Sequence, residues 1–506
     1  MSKFEKKLKK RKSRFKDRSN INKSRERRSN VTVQISKNKR EEKLLKRRNI
    51  TPITEGVFVE DLPTFVKGLS SKNDQILFQS LQNIRFLVSL ENSPPIKEVL
   101  QSNISPTIID FLKNSQNRLV QVEAAWILSN ICSGSSSHTK YLVNLDVIPI
   151  FIDLLELNDP EIVTLALWGL ANIACDSGEL RDMIITNSNT IQKIIEIIEQ
   201  NENNLQILKI AVWTLSNFIR TKPLLDFEKL YITIPIFASL LNHSNEQIII
   251  DSCWALAMIS MGSEEHIESI ISSNCIKKLI ELIYDNSTKI KIPALRTLGG
   301  IMSGTEKQIQ VVIDSGFLQD YLTFFSEKQP MSVLKEACWA ISNLTSGNPS
   351  QIEHLIQNGI MEHLLELMKT PIYQLKIEAY WGVNNAIYNG TKEQIHWILE
   401  RDGLIRLKPF LKSRTSKLIK ICLEAYLRIL KVGKEFAEEK GTKINLYSET
   451  IIELGIKKSI EKLTDHRREN IVKLSTQILQ NYLNEEEQEF YAQQLQTNNE
   501  QKTYNF

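Results

Sequence analysis

Five tryptophans of the sequence are each followed by an asparagine four residues later. Residues four apart lie on one face of an α-helix, so each pair presents an indole beside an amide. The indole face attracts Lys or Arg cations, and the amide can both donate to and accept from the backbone of an extended peptide. The pairs therefore predict a surface that binds extended peptides rich in Lys and Arg. They are Trp126/Asn130, Trp168/Asn172, Trp213/Asn217, Trp339/Asn343 and Trp381/Asn385.

The pairs recur at a nearly constant spacing. Two degenerate copies complete the series, one with Trp254 and Met258 and one with Arg296 and Gly300. From residue 126 to residue 381 the steps between copies are 42, 45, 41, 42, 43 and 42 residues. A period of this length is typical of armadillo and HEAT repeat arrays. We name the seven copies the Trp–Asn ladder.

The segments between the ladder copies favour helices. Apolar helical patterns such as VIPIFIDLLEL (147–157) alternate with Gly, Pro, Asn and Ser, which predicts about three helices per repeat. The expected fold is an all-α solenoid whose repeats bury their apolar faces against each other. In the first copy Ala124, Ile127 and Ile131 share the core face, so we expect Trp126 to lie outside the core. Equivalent helices side by side would hold the indoles as parallel plates with slots for cations.

Acidic residues accompany the ladder. Asp176 follows Trp168 by eight residues, and a ligand Lys is expected to contact it. Four further carboxylates each precede a ladder position by three residues, which predicts that they lie at the edge of the groove. These are Glu123, Asp251, Glu336 and Glu378.

Charge divides the chain into a basic arm and an acidic body. Residues 1–50 carry 21 Lys and Arg against 5 Asp and Glu, a net charge of +16, and the remainder carries −11. The arm has too few apolar residues for a core of its own, although residues 24–48 could form a helix on an acidic partner. Three hypotheses remain open: a solubilising tail, a nucleic-acid-binding arm, and an arm bound by a protein partner or by the body. The acidic body disfavours nucleic acid, and the ladder favours the third.

Other function classes find little support. The six Cys form no CxxC pair, the seven His form no metal-spaced pair, and neither a phosphate-binding loop nor a nucleophile elbow occurs. Trp397 lies off the ladder and is expected to serve packing. No apolar run is long enough for a membrane span, and the basic N-terminus is unlike a signal peptide. We expect no enzyme, no metal and no cofactor.

The ladder and the arm resemble those of the importin α family of nuclear import adaptors, from about Lys6 to Glu489. The resemblance implies an armadillo-repeat right-handed superhelical solenoid of about ten repeats with a flexible basic N-terminal arm. It implies that residues 1–55 form an importin-β-binding arm, that residues 56–484 form the repeat array, and that residues 485–506 form an acidic or polar tail. Residues 448–489 resemble the last repeat, which in the family contacts the export receptor.

The resemblance also implies two sites for nuclear localisation signals. The major site comprises Trp126, Asn130, Gly134, Thr139, Trp168, Asn172, Asp176, Trp213 and Asn217, of which Gly134, Thr139 and Asp176 hold the key Lys of the signal. The minor site comprises Arg296, Glu306, Trp339, Ser342, Asn343, Glu378, Trp381 and Asn385. Glu306 stands where the family has Asp, and Met258 where it usually has Tyr. Gly300 stands where the family has Asn, and because of this difference we expect a weaker minor site.

The predicted function is therefore an adaptor that shuttles between cytoplasm and nucleus. It would bind signal-bearing cargo in the groove and importin β through residues 1–50, without binding nucleic acid or membrane. Lys46, Arg47 and Arg48 mimic a signal, so they are expected to enter the 126–217 groove and inhibit it. The alternative is a non-transport armadillo scaffold, or a nucleic-acid-associated protein tethered by its arm. The sequence does not specify the cargoes, the paralogue class or any modification.

Overall fold

The computed structural model describes residues 46–50, 57–186, 189–326, 328–442 and 444–483. In these ranges the chain forms α-helices, two short 3₁₀ segments and no strand, which confirms the predicted all-α repeat fold. Two compact units meet in sequence at Thr297 and Leu298. Most of the predicted arm, residues 1–45 and 51–55, lies outside the described residues, as does the predicted tail.

The unit that ends at Thr297 contains the first four ladder copies and Arg296 of the fifth, and its last helix extends past this boundary to Ile301. A 3₁₀ turn at Val59–Asp61 precedes its helices. The helices are α1 (Leu62–Gly68), α2 (Asp74–Val88), α3 (Ile96–Gln101), α4 (Ser105–Asn114), α5 (Arg118–Cys132), α6 (Ser136–Val143), α7 (Val147–Leu154), α8 (Pro160–Asp176), α9 (Gly178–Ile185), α10 (Thr190–Gln200), α11 (Leu205–Arg220), α12 (Phe227–Tyr231), α13 (Ile234–Leu240), α14 (Glu246–Ile259), α15 (Glu264–Ser272), α16 (Ile276–Ile283) and α17 (Thr288–Ile301).

The unit that begins at Leu298 contains the last two ladder copies. A second 3₁₀ segment, Lys408–Lys412, directly follows the helix that ends at Leu407. The helices after α17 are α18 (Glu306–Asp314), α19 (Thr323–Ser326), α20 (Met331–Leu344), α21 (Pro349–Gln357), α22 (Ile360–Leu367), α23 (Tyr373–Asn389), α24 (Lys392–Glu400), α25 (Gly403–Leu407), α26 (Ser416–Glu439), α27 (Leu446–Glu453), α28 (Lys457–Glu461) and α29 (Glu469–Tyr482).

Each repeat is divided into three helices by local signals. The first helix often begins with a capping box, in which a polar residue and one three positions later satisfy each other's backbone N–H, as at Thr305 and Thr391. A residue with positive φ then separates the first and second helices, Asp146 (56°) being one example and Gly359 (70°) another. The third helix begins at an Asn or Asp whose side chain accepts from the first backbone N–H groups, as at Asp159.

The third helices carry the ladder. In the first unit α2, α5, α8, α11 and α14 pack side by side in this order, and in the second unit α20 packs on α23. The core between them is aliphatic, with Leu128, Leu170 and Leu215 fully buried. Because equivalent helices are neighbours, residues about 42 positions apart in sequence lie next to each other on one surface. This arrangement brings the ladder positions of each unit together.

Candidate functional site: a peptide-binding groove

Two asparagines of the ladder, Asn130 and Asn172, connect neighbouring repeats in the first unit. Asn172 Nδ2 donates to the carbonyl oxygen of Ser129 on the preceding third helix at 3.2 Å. Asn130 Nδ2 donates to Ser89 Oγ at 2.9 Å. Each of these bonds uses only one of the two amide protons. The second proton and the amide oxygen remain available for the groove.

Residues 46–49 lie along this surface without regular secondary structure. Arg47 N donates to Asn172 Oδ1 at 3.0 Å, and Asn172 Nδ2 donates back to Arg47 O at 2.9 Å. Asn49 makes the same pair of bonds with Asn130, both at 2.9 Å. One ladder asparagine thus pairs with every second residue, and the segment runs opposite to the order of the repeats.

The tryptophans add a second donor to each carbonyl. Trp168 Nε1 donates to Arg47 O at 2.7 Å, and Trp126 Nε1 donates to Asn49 O at 3.4 Å. Two neutral donors on one carbonyl fix the position of the backbone without reading a side chain. Side-chain selectivity must therefore come from the contacts of residues 46–48.

Lys46 enters a polar niche between α6 and α8. Its ammonium lies 2.7 Å from Asp176 Oδ1 and donates to Thr139 Oγ1 at 2.6 Å and to Gly134 O at 3.1 Å. These three acceptors match the three donors of an ammonium group. The Asp176 side chain is only 4% exposed, and Ser136 Oγ donates to it at 2.9 Å. The niche selects a compact cation because a guanidinium could not satisfy all three acceptors from one nitrogen.

Arg47 and Arg48 lie on opposite sides of the segment. The Arg47 guanidinium is 4.5 Å from the centre of the Trp213 ring and 3.3 Å from Asp251 Oδ2. Arg48 donates to Ser133 Oγ at 3.2 Å and to Leu90 O at 2.9 Å, and burial lowers its pKa. Arg47 thus contacts an indole face on one side of the segment, and Arg48 contacts a hydroxyl and a loop carbonyl on the other.

Two expectations about the indoles are wrong. Trp168 and Trp213 do not form parallel plates, because their rings meet at 65° with centroids 5.8 Å apart. Nor do all ladder indoles lie outside the core: Trp213 is 2% exposed and Trp381 is 5% exposed. The Trp213 ring lies against the Trp168 ring and under the Arg47 guanidinium. Trp126, Trp168, Trp254 and Trp339 are half-buried.

The carboxylates three residues before the ladder positions were expected at the exposed edge of the groove, but they are mostly buried. Glu123, Asp251 and Glu336 are buried, and only Glu378 is half-buried. Asp251 accepts from Gln247 Nε2 at 2.9 Å in addition to contacting Arg47. Burial is the main cause that raises the pKa of Glu123, and Arg85 acts against it. Glu123 and Asp251 form the floor of the first groove.

Two arginines of the body that we had not predicted lie over ladder indoles. Arg85 is 4.7 Å from the Trp126 ring, and its Nε is 2.7 Å from Glu123. Arg220 is 5.4 Å from the Trp254 ring and 3.9 Å from Asp251, and burial lowers its pKa despite the pull of Asp251. The spacing could have revealed Arg85, which precedes Trp126 by 41 residues, one ladder step. No spacing signal identifies Arg220.

Arg296, which replaces tryptophan in the ladder, contacts the preceding ladder indole. Arg296, predicted for the minor site, is buried with its guanidinium 5.1 Å from the Trp254 ring. Trp254 is thus covered by two arginines of its own chain. The role of Arg296 in a minor site stays a prediction.

In the second unit the asparagines again connect repeats. Asn343 Nδ2 donates to Gly299 O at 2.8 Å, and Asn385 Nδ2 donates to Ser342 O at 2.9 Å. Ser342 itself is buried, and its hydroxyl donates to Trp339 O. Glu306 is exposed at the start of α18 and accepts from Asn348 at 3.3 Å.

Gly299 allows close packing beside Gly300. A Cβ at position 299 would lie 2.3 Å from the Trp339 ring. The ring of the next ladder position therefore rests directly on this backbone. This contact explains why a small residue occurs next to the position where the ladder loses its asparagine.

Two polar groups of the ladder stay unpaired among the described residues. Both amide atoms of Asn217 are buried without a hydrogen-bond partner there, and so is Trp381 Nε1. Asn130, Asn172 and Trp168 satisfy the equivalent groups with the backbone of residues 46–49. Buried polar groups normally have partners, so these orphan groups point to a ligand backbone.

The described ranges contain no cluster of metal-ligating side chains and no helix long and apolar enough to cross a membrane. All six cysteines are free; Cys175 is half-buried and the other five are buried. Burial raises the pKa of the Cys132 thiol to about 12 and that of Cys175 to about 11. Thiols of this kind are poor nucleophiles.

Comparison with known proteins gives the family. Residues 11–102 match the family model described as importin beta binding domain, and residues 92–133, 135–175, 263–303 and 305–346 match armadillo/beta-catenin-like repeats. Importin subunit alpha-4 of Arabidopsis thaliana is 34% identical over 96% of this chain and 93% of its own length. The chain belongs to the importin α family.

Other members of the importin α family are similarly close. Importin subunit alpha-1a of Oryza sativa subsp. japonica is 33% identical over 94% of this chain and 92% of its own length. Importin subunit alpha-B of Dictyostelium discoideum is 38% identical over 58% of this chain and 59% of its own length. The crystal structure of an engineered protein, at 22% identity and a TM-score of 0.72, covers 84% of this chain and 99% of its own, which supports the fold alone.

Membership of the importin α family confirms the resemblance seen in the sequence. It makes the chain a nuclear import adaptor with an importin-β-binding domain. It favours the transport adaptor over the scaffold hypothesis, and the family is not one of enzymes. The domain boundaries, the site assignments and the export-receptor contact stay predictions.

Proposed function

We propose that the groove between Trp126 and Asn217 binds the Lys/Arg-rich nuclear localisation signal of a cargo protein, while the N-terminal arm binds importin β. The contacts of Lys46, Arg47 and Asn49 carry this proposal. They combine sequence-independent pairing of the backbone with a niche for one Lys and an indole for one Arg. A cargo segment with the same pattern can make the same contacts.

The same contacts support self-inhibition by the arm. Lys46 occupies the Asp176 niche, so the arm and a signal peptide compete for one site. A short flexible tether gives an effective concentration on the order of millimolar, so an arm affinity of roughly 10 μM would weaken cargo binding about a hundredfold. Importin β, by taking the arm, would remove the competitor. The chain would then bind cargo tightly only when its carrier is attached.

The second ladder segment, Trp339 to Asn385, is proposed as the site for a second cationic cluster. Its support is the buried N–H of Trp381, which has no acceptor among the described residues. Two Trp–Asn pairs occur here, against three in the first groove. We therefore propose a weaker site. We further propose that the last repeat contacts an export receptor and that the protein shuttles between cytoplasm and nucleus.

The arm proposal is tested by removing its charges in the full-length protein. Lys46, Arg47 and Arg48 are all changed to Ala, and fluorescence anisotropy measures the affinity for a labelled Lys-rich signal peptide without importin β. We expect the affinity to rise about 10- to 100-fold, in line with a tethered competitor. The control changes Lys9, Lys10 and Arg11 to Ala, which removes the same charge from a different part of the arm.

Two further measurements complete this test. Adding importin β should raise the affinity of the native chain towards that of the Lys46/Arg47/Arg48 variant. Added salt should reduce the difference between native chain and variant, because the competition is largely electrostatic. Equal peptide affinity of native chain and variant at low salt would contradict self-inhibition.

A further inference from the structure

Residues 46–49 define a rule for which indole each ligand side chain contacts. Arg47 pairs its backbone with Trp168 and Asn172, but its guanidinium lies over Trp213, the indole of the next repeat. Residue 49 pairs one ladder copy earlier, with Trp126 and Asn130. By the same geometry a long side chain at residue 49 would be directed towards Trp168.

For the ligand residue two positions after residue 49, the rule predicts a side-chain contact with Trp126. The residue that follows residue 49 by two would pair its backbone at Arg85 and Ser89, one ladder step before Trp126. Its side chain would then lie over the Trp126 ring. Arg85 already lies over that ring at 4.7 Å and is paired with Glu123 at 2.7 Å.

The opposite end of the groove has a similar arrangement. A ligand residue two positions before Arg47 would be directed towards Trp254, which Arg220 covers at 5.4 Å and Arg296 at 5.1 Å. Of the four consecutive indoles in this unit, the outer two are thus covered by the body. Trp213 holds Arg47, and no cation from the described residues lies over Trp168.

We propose, on the basis of the function proposed above, that Arg85 is a specificity-determining residue that ends the cation-binding part of the groove at Trp126. It covers the indole with its own guanidinium and neutralises Glu123, the carboxylate that a ligand cation would use there. A signal can then carry a useful Lys or Arg at the position of residue 49 but not two positions later. In the sequence of the arm, the second residue after Asn49 is Thr51 and therefore not a cation.

Arg85 would thereby fix the register of the ligand. A basic peptide displaced by two residues towards α2 would bring a cation against the Arg85 guanidinium, where like charges repel. The same displacement would take a cation out of the Asp176 niche. Arg85 thus adds repulsion against the wrong register to the attraction in the correct one.

The test uses the full-length chain with Lys46, Arg47 and Arg48 changed to Ala, so that the arm does not compete. Three labelled peptides are compared by anisotropy: LKRRNIT, which is the sequence of residues 45–51, LKRRKIT with the extra Lys at the position of residue 49, and LKRRNIK with the extra Lys at the position of residue 51. The last two carry the same net charge. We expect LKRRKIT to bind about 2- to 30-fold more tightly than LKRRNIT, as one cation–π contact allows, and LKRRNIK to gain less than about twofold.

Substitutions at Arg85 separate its role from simple charge attraction. With Arg85→Gln, LKRRNIK should gain about 5-fold or more, because Trp126 and Glu123 become available to its Lys. The Arg85→Gln/Glu123→Gln double variant should lose most of that gain, and Arg85→Lys should still exclude the extra Lys. Circular dichroism melting of each variant shows whether the fold is retained.

The outcomes distinguish this inference from the proposed function. If LKRRKIT binds but the gain of LKRRNIK is the same before and after the Arg85→Gln substitution, the role of Arg85 is refuted and the groove remains. If the folded protein binds none of the three peptides, the proposed groove function fails. If the Arg85→Gln variant does not fold, the comparison of LKRRKIT with LKRRNIK on the chain that retains Arg85 decides, because equal gains would overturn the inference.

Discussion

The indole nitrogen of Trp168 donates a hydrogen bond to the carbonyl oxygen of Arg47 over 2.7 Å. The same oxygen accepts from Asn172 Nδ2 at 2.9 Å. From the sequence, the indole was predicted only to attract cations through its face. In the structure it also holds the ligand backbone, while the face that binds the Arg47 cation belongs to Trp213.

Removing only this N–H tests the backbone role. Trp168→Phe retains an aromatic ring but lacks the donor, so we expect a signal peptide to bind about 3- to 15-fold more weakly, the worth of one hydrogen bond. Titration calorimetry in the chain with Lys46, Arg47 and Arg48 changed to Ala measures the loss. Trp381→Phe is the matched variant in the second unit. It should cost a single-cluster peptide less, and an equal loss would show that the two segments are wrongly ranked.

Asp176 should be essential to the Lys niche. Asp176→Lys introduces a like charge where Lys46 makes its ion pair, and we expect the affinity for a signal peptide to fall at least about 100-fold. Asp153→Lys, an exposed change of equal charge on α7, is the control and should leave the affinity within about twofold. An Asp176→Lys protein that melts normally and still binds the peptide would contradict the niche assignment.

The arm should bind the groove more weakly than an arm with a cation at residue 49. Asn49 supplies no cation to Trp168, so Asn49→Lys should strengthen self-binding by about 0.5–2 kcal/mol. The full-length variant should then bind a signal peptide about 2- to 30-fold more weakly than the native chain. Ile50→Lys adds the same charge at the neighbouring, exposed residue and should have a smaller effect. The reverse order of the two variants in anisotropy would argue against the rule that relates residue 49 to Trp168.

A buried arginine outside the groove should control stability. Arg181 is 1% exposed and donates to the carbonyl oxygens of Phe218, Thr221 and Pro223, the first two on or next to the last turn of α11. Arg181→Leu leaves these acceptors unpaired, so we expect a loss of about 2–4 kcal/mol in the free energy of unfolding. The measurement is calorimetric melting. Arg118→Leu, which removes an exposed ion pair with Asp159, should change the melting temperature little.

Self-inhibition should weaken in mild acid through His138. Burial, followed by the nearby Lys46, lowers the pKa of His138 from 6.5, while Glu98 acts in the opposite direction. Release of the arm removes Lys46, so the pKa rises towards its ordinary value and the released state binds a proton more readily. The arm-bound state is therefore disfavoured as the pH falls into the range where His138 of the released state takes up a proton, and it is fully retained above the ordinary value of 6.5.

The measurement is the ratio of peptide affinities between the Lys46/Arg47/Arg48 variant and the native chain, at about pH 5.5 and about pH 7.5, on either side of the ordinary pKa of a free histidine. The ratio should be smaller at the lower pH. With His138→Gln in both proteins the pH dependence should decrease. An unchanged pH dependence would assign it to other groups.

The repeat period and helix type were predictable because they depend on spacing. The ladder predicted seven third helices, and the positions of Asn130, Asn172 and Asp176 followed from helical geometry once the repeats were aligned. What spacing cannot give is side-chain rotation. The 65° angle between Trp168 and Trp213 depends on χ angles and on the packing of α8 against α11, neither of which a periodic pattern contains.

The floor of the groove was the other failure. Glu123 and Asp251 were expected at the edge because the offset of three residues was considered on an isolated helix. Their burial comes from the neighbouring helices, which also supply Arg85 and Arg220 as partners. The role of such an arginine depends on a residue about 40 positions away in sequence. It can be recognised only once the neighbouring repeats have been aligned. Arg85 was not predicted because it occupies a ladder position without being a tryptophan, and the ladder had been defined by its tryptophans.

The double use of Asn172 has a mechanical consequence. Its amide nitrogen holds the carbonyl oxygens of both Ser129 and Arg47, so a bound peptide shares an anchor with the seam between α5 and α8. An extended ligand paired with Asn130 and Asn172 bridges α5 and α8, so occupancy should stiffen the packing of these two repeats. Cargo binding should then increase the force needed to stretch these repeats, an effect that extends to residues that do not contact the signal.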